Sequence, residues 1–346
     1  MFKTPKLADF QPAELKVSNP SRNLHHIFNE ADCYALWAAY SAGRPLLVRG
    51  KPGTGKSQMA RAIAEQLGWA FVSEVVRGGT ELSDLHWHFD AIGRLGEAQA
   101  RGMQDNSTNK TDKLDPVNFL APGAFWWAFQ WQSAQQQYQK CATHLRPEPE
   151  KPDLNSQSAK TWKPETGGVV LLLDEIDKAE PDLPNGLLET LGLYQFTAPY
   201  IDHPDRPSET INPIKADPSR LLVIITTNEE RELPKAFVRR CFVHTLTMEE
   251  SAEPVNSDDE KPLPKRQHWL MERGRLHFDE QIAEPVYQLA AELLWQDRDA
   301  SPHSQCPPGL AEYIDLLNAI KTLSHKDQQQ RLEQIAQYAL KKDLEP

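Results

Sequence analysis

The sequence predicts an α/β domain with a parallel sheet covered by helices on both faces, followed by a small all-helical domain. Three observations carry this expectation. Short aliphatic runs such as Val169–Leu173 and Leu221–Ile225 lack polar alternation, as strands buried on both faces do. Segments with helical spacing separate those runs. Beyond a composition break at Ser251–Gln267 the aliphatic runs stop, and helical periodicity alone continues.

Residues 1–22 hold Pro5, Pro12 and Pro20 and read as a loose N-terminal arm. From Glu30 to Ala42, the residues Ala31, Tyr34, Ala35, Ala38 and Ala39 recur at helical spacing. Leu46–Val48 is a short buried strand that runs into a glycine loop. Gln58–Leu67 follows as a helix, and Gly68 stands where a C-terminal glycine cap is expected. Further strands are expected at Ala70–Val76, Val169–Leu173, Leu221–Thr226 and Phe242–Leu246. Two polar stretches, 102–118 and 133–168, read as surface insertions. The organisation expected is an arm over 1–22, an α/β domain over 23–250, a linker over 251–267 and a helical domain over 268–346. Three helices are expected there, at Phe278–Asp297, Pro308–Leu323 and Asp327–Lys342.

The chain has 346 residues and a net charge of −11. So acidic a chain offers no overall positive field for nucleic acid or an anionic membrane. The N-terminus MFKTPKLADF lacks the apolar core of a secretory signal, and the longest aliphatic runs fall far short of a span. Cys33, Cys141, Cys241 and Cys306 are far apart and form no CxxC pair. A cytoplasmic protein with reduced cysteines is expected.

Three motifs carry the chemistry. Gly50-Lys51-Pro52-Gly53-Thr54-Gly55-Lys56-Ser57 fits GxxxxGK[ST]. Such a loop turns successive backbone N–H groups on phosphate oxygens, and its glycines admit angles and approaches that a Cβ blocks. Lys56 is expected to reach the β- and γ-phosphates, and Ser57 to offer its hydroxyl to Mg²⁺. Next, the aliphatic strand 169–173 ends in Asp174 and Glu175. Asp174 is the expected metal carboxylate, and Glu175 would orient the attacking water. Finally, the strand at 221–226 ends in Thr227 and Asn228, whose amide can bond that water or the γ-phosphate. Just before the last strand, Arg239 and Arg240 could reach a neighbouring subunit's nucleotide.

Together GKPGTGKS, LLLDEIDKA, the TTN strand end and LPKAFVRRC resemble the AAA+ ATPases, and more narrowly the MoxR branch. Arg77–Leu85 and Ala121–Trp127 resemble two further segments of that branch. The resemblance covers about residues 25–250, with a weaker continuation beyond. It implies a P-loop domain with a five-stranded parallel sheet, a helical lid, and ATP with Mg²⁺ as the bound species. It implies ATP hydrolysis in a ring, usually hexameric, with Arg240 as the finger acting on the adjacent subunit. It also implies a separate partner carrying a von Willebrand factor A domain, and a chaperone-like role in assembling or activating a complex. Residues 185–219 fit the place of an insertion and hairpin in that family. The resemblance has one gap. Where the family's lid presents a basic sensor, this chain reads Gln305-Cys306-Pro307-Pro308-Gly309-Leu310, and Lys321 is the next basic residue. A nucleotide-dependent switch in defence or signalling, and a nucleic-acid motor, are the alternatives.

Single side chains carry less. Trp126, Trp127 and Trp131 read as helix packing rather than a partner surface. His25 and His26, near Phe28, could border the base. A metal site at His86 and His88 lacks a third ligand.

Overall fold

The computed structural model describes residues 2–18, 23–102, 114–145, 147–152, 154, 161–200, 213–255, 262–300 and 307–340. The chain opens with strands β1 (Glu14–Ser18) and β2 (Asn23–Ile27) and helix α1 (Glu30–Ser41). Strand β3 (Leu46–Arg49), helix α2 (Lys56–Leu67) and strand β4 (Ala70–Val75) follow. Then come α3 (Leu82–His86), β5 (Trp87–Phe89), α4 (Ala91–Gly102), β6 (Leu120–Pro122), α5 (Ala124–Phe129) and α6 (Trp131–Cys141). Strand β7 (Val169–Asp174) leads to α7 (Asp182–Leu193), β8 (Gln195–Phe196), β9 (Ile214–Lys215), β10 (Leu221–Thr227), α8 (Lys235–Val238) and β11 (Phe242–Thr245). Helices α9 (Lys265–Phe278), α10 (Glu284–Ala300), α11 (Leu310–Ile320) and α12 (His325–Ala339) close the chain.

Contacts divide the chain into two compact units. The first comprises Met1–Gln11, Glu30–Val48 and Ile63–His244; the second comprises Pro12–Asn29, Arg49–Ala62 and Thr245–Pro346. The first is built on a five-stranded parallel sheet in the order β11-β3-β10-β7-β4. Strand β7 pairs with β10 on one side and β4 on the other, with Val169 opposite both Leu221 and Ala70. Position in this order explains composition. Strand β10 is buried at all seven residues and reads LLVIITT, whereas the edge strand β11 alternates and leaves Val243 44% exposed. Expected strand positions hold for all five.

Local detail departs from expectation in several places. Helix α1 forms, but it buries Asp32, Cys33, Leu36, Ala39 and Tyr40 and leaves Tyr34 60% exposed. Burying Asp32 becomes favourable because His244 Nε2 lies 2.7 Å from its Oδ1. Composition misled the reading of 133–168 as an insertion. The glutamine-rich start is helix α6, with Ala134, Gln137, Tyr138 and Cys141 buried. Gln137 donates to the carbonyls of Val117 and Leu120, both at 2.7 Å, so its amide is satisfied. Of the stretch 102–118, residues 103–113 lie outside the described residues. Its end is a tight turn over Pro116–Phe119, where Asp115 accepts from Val117 N–H.

The second unit holds the antiparallel β1–β2 hairpin, where Glu14 pairs with Ile27 and Ser18 with Asn23. Part of the expected loose arm is therefore a strand. Helix α9 was also not foreseen. Pro264 stands at its N-cap, and the Pro and charge cluster before it reads as linker. Residues 256–261 of that linker lie outside the described residues. Asp279, at φ 45°, ends α9, so the helix expected from Phe278 begins instead at Glu284. Leu270, Tyr287, Leu294, Tyr313, Leu317 and Leu332 form the core of the four-helix region. No helix among the described residues is long and apolar enough to cross a membrane.

Candidate functional site

The phosphate loop belongs to the second unit. Gly53 has φ 76°, and a Cβ there would sit 2.9 Å from the Cβ of Ala311, in the first turn of α11. Gly50 has φ 149°, and a Cβ there would fall 2.5 Å from the carbonyl of Leu246. Both positions admit only glycine without displacement. Lys56 is 6% exposed, and its Nζ donates to the carbonyls of Gly50 at 2.7 Å and Lys51 at 2.9 Å. Thr54 Oγ1 donates to the Lys51 carbonyl at 2.9 Å, which draws the loop tight. Ser57 lies in the first turn of α2, whose N-terminal N–H groups favour an anion. A loop with no room for a side chain at Gly50 or Gly53, a buried ammonium and a helix N-terminus fit a polyphosphate.

One neighbour of this loop, His26, comes from elsewhere in the same unit, and His25 beside it bonds to α9. The imidazole of His26 lies 3.9–4.0 Å from the Cβ position of Gly55 and packs edge-on against Phe28. His25 N–H donates to His277 Nε2 at 3.3 Å, while His277 Nδ1 faces the Arg273 carbonyl at 2.8 Å. Those two bonds fix the proton of a neutral His277 on Nδ1. Burial pushes the His277 pKa down.

The lid side carries no basic sensor among the described residues at the start of α11. Its first turn is Leu310, Ala311, Glu312 and Tyr313, and Glu312 accepts from Gly309 N–H at 2.8 Å. Lys321 is the C-cap of the same helix, at its other end. A cation nonetheless reaches the start of α11 from α10. Arg298 donates to the Pro308 carbonyl at 2.8 Å and pairs with Glu250 at 3.0 Å. The sequence carries no local sign of Arg298's role, because it reaches Pro308 only once α10 and α11 are packed together.

The carboxylates belong to the first unit, at the C-terminal ends of adjacent strands. Thr226, fully buried in β10, donates from Oγ1 to Asp174 Oδ1 at 2.5 Å. The same hydroxyl oxygen accepts from Glu175 N–H at 2.9 Å. One threonine therefore fixes the Asp174 carboxylate and the backbone of its neighbour. Glu175 sits at φ 60°, an uncommon angle for a side-chain-bearing residue, held at the junction of β7 and the following turn. Its Oε1 accepts from Asn228 Nδ2 at 3.1 Å. Its Oε2 pairs with Lys178 Nζ at 2.5 Å, and that bond pushes the lysine pKa up. Lys178 is 42% exposed, so the pair contributes only about 0–1 kcal/mol. The structure thus brings Asp174, Glu175 and Asn228 together. Thr226, Asp177 and Lys178 join them; the first two are silent in the sequence until strand pairing is known.

Arg239 and Arg240 follow α8 and are both exposed. Arg44 clamps their backbone, donating to the carbonyls of Arg239 and, at 2.9 Å, Arg240. Remaining single-residue readings resolve plainly. Trp126, Trp127 and Trp131 are buried; Trp127 packs on Trp131 and Tyr138, and Trp126 meets Phe196 edge-on. Trp131 and Trp162 line a cavity of about 460 Å³ beside Val169 and Arg220, at the opposite strand ends from the carboxylates. His86 is buried against Phe196 and Thr190, His88 is exposed, and no metal-binding cluster occurs among the described residues.

The chain matches the model of the AAA domain (dynein-related subfamily) over residues 45–241. It belongs to that family. The matched span of the AAA domain starts beside β3 and ends at Cys241, so it contains the loop, both carboxylates, Asn228 and both arginines. Nucleotide binding is what an AAA domain implies. A crystal structure of a candidate ATPase from Cytophaga hutchinsonii ATCC 33406 is similar at 14% identity, covering 88% of this chain and 79% of that one, with a TM-score of 0.34. No curated protein matches the chain.

Proposed function

We propose that this AAA domain binds and hydrolyses ATP in a ring of identical copies and uses the cycle to remodel or activate a partner complex, as a MoxR-like protein. The observation that carries the reading is the Glu175 carboxylate, held by the Asn228 amide at 3.1 Å beside Asp174 at the ends of two adjacent strands. In this reading Gly50, Pro52, Gly53, Thr54 and Gly55 surround the phosphates and Lys56 neutralises them. Ser57 and Asp174 would hold Mg²⁺, which supplies charge neutralisation on the phosphate oxygens. Glu175 accepts the proton of the attacking water, and Asn228 orients that carboxylate. Arg240 serves the neighbouring copy. A separate partner with a von Willebrand factor A domain and a cytoplasmic location belong to the same reading.

The test is Glu175→Gln. Nucleotide should bind with unchanged affinity, while phosphate release falls by about 10²–10⁴-fold, the contribution of a general base. Undiminished turnover would remove Glu175 from the mechanism. A second reading, a nucleotide-dependent switch, is favoured by the cation-free first turn of α11. It requires that Glu175→Gln preserve the output while abolishing turnover.

A further inference from the structure

Asp177 has no part in the mechanism above, yet it is among the most deeply buried charged side chains described, at 2% exposure. It sits in the tight turn Ile176–Lys178 that follows β7. Its Oδ2 accepts two backbone N–H groups of the loop after β10, Asn228 at 3.1 Å and Glu230 at 2.9 Å. Its Oδ1 is buried and has no hydrogen-bond partner. Burying a carboxylate with one oxygen unsatisfied is costly. An asparagine would make the same turn contacts at lower cost. What the charge adds is strength, because hydrogen bonds to an ionised acceptor are roughly twice as strong as neutral ones.

The strength is applied at one place. The Asn228 backbone is tied to Asp177, and the Asn228 side chain is bonded to Glu175 Oε1. Thr226, two residues earlier, is tied to Asp174 and to Glu175 N–H. Without Asp177, the backbone of the loop after β10 would lose both N–H bonds to the carboxylate turn, leaving Thr226, the Asn228 amide itself and an exposed Arg231–Glu180 pair. We propose that Asp177 is a positioning residue: it sets the Asn228 amide against the Glu175 carboxylate and acts on hydrolysis only through that amide. The proposal rests on the reading of Glu175 as the water-activating group, and its test separates the two.

The experiment uses the full chain, ¹⁵N-labelled at asparagine. The Asn228 side-chain amide resonance is assigned by its loss in Asn228→Ala. In Asp177→Ala that resonance should move to the position it takes in Glu175→Ala, and kcat should fall about 10- to 100-fold, the scale of a misplacement near 1 Å. KM should stay within about twofold, since Asp177 bonds the backbone of Asn228 and Glu230 and no residue of the phosphate loop. Asp177→Asn keeps one acceptor oxygen and should recover kcat to within about fivefold of the parent. The double variant Asp177→Ala/Asn228→Ala should be no slower than Asn228→Ala alone. An unmoved amide resonance in Asp177→Ala, or a double-variant loss equal to the product of the two single losses, would overturn the proposal. If the parent chain turned over no ATP at all, the water-activation reading would fall, and the amide resonance alone would decide on Asp177. Should Asp177→Ala not fold, Asp177→Asn and Asp177→Ser carry the same readouts.

Discussion

Acid should loosen the first unit through one histidine. His86 ends α3 and is 8% exposed. Its ring stacks on Phe196 of β8 at 4.3 Å, meets Phe125 edge-on, and shares a 2.9 Å hydrogen bond with Thr190 of α7. Burial pushes its pKa down to about 4 from an ordinary 6.5. Folding therefore holds the imidazole neutral. As pH falls below 6.5 the unfolded chain takes up the proton first, so the stability present above 6.5 is lost progressively until pH nears 4. Between pH 7 and pH 5 the loss is about 2 kcal/mol, and the complete loss is about 3 kcal/mol. Urea unfolding followed by tryptophan fluorescence reads it, because Trp126, Trp127 and Trp131 are buried in the same core. His86→Phe supplies the control: it removes the titration, so its stability should change about 2 kcal/mol less over that interval than the parent's. Glu74, whose pKa burial pushes up, works in the opposite direction, but it is present in both proteins and cancels. Equal pH dependence in the two would refute the burial argument.

Three more outcomes follow from individual contacts. Thr226→Val keeps the shape but removes the hydroxyl shared by Asp174 and Glu175 N–H; unfolding should cost about 2–3 kcal/mol less, and a change under about 0.5 would contradict the network. Gly53→Ala places a methyl 2.9 Å from Ala311 and forces φ 76° on a side-chain-bearing residue; the angle alone costs roughly 1–2 kcal/mol. Adding Ala311→Gly should restore only the steric part, read as binding of a fluorescent nucleotide. Arg240→Ala should abolish hydrolysis in the assembled chain and leave nucleotide affinity of the isolated subunit intact. A large loss of that affinity would mean the arginine serves its own subunit.

The sequence shows the sheet and the acidic pair because each rests on a local signal. Runs such as VVLLLD and LLVIITT state burial on both faces without reference to a partner. Glycine spacing in the phosphate loop states a backbone requirement, and the structure displays it as positive φ at Gly50, Gly53 and Gly55. What local pattern cannot carry is pairing across the chain. Thr226 is an unremarked strand residue until β10 is set beside β7, which puts it 2.5 Å from Asp174. Asp177 reads as one more acid in DEIDKA until the loop after β10 folds onto it. The buried face of α1 is hidden for the same reason, since Asp32 becomes a core residue only when His244 arrives from β11. Helix α6 shows the opposite failure: its periodicity was legible, but glutamine content masked it.

The lid contact in the second unit is steric where an ionic one was sought. A basic sensor would bring charge to the phosphates from the first turn of α11. Here that turn offers Ala311, placed so that even a methyl on Gly53 would collide with it, and Glu312, whose carboxylate is engaged by Gly309 N–H. Lys321 stands about 16 Å along the helix, at 1.5 Å per residue over 11 residues, too far to substitute. Arg298 is close in space, but its guanidinium is committed to the Pro308 carbonyl and to Glu250. These bonds hold the segment that leads into α11, so Arg298 sets where Ala311 lies. Movement of the phosphate loop at Gly53 toward α11 then meets the Ala311 methyl. Such contact rises steeply over a few tenths of an ångström and is insensitive to salt, unlike attraction between charges. Coupling between loop and lid in this chain should therefore survive high ionic strength and fail on a change of one methyl at Gly53 or Ala311.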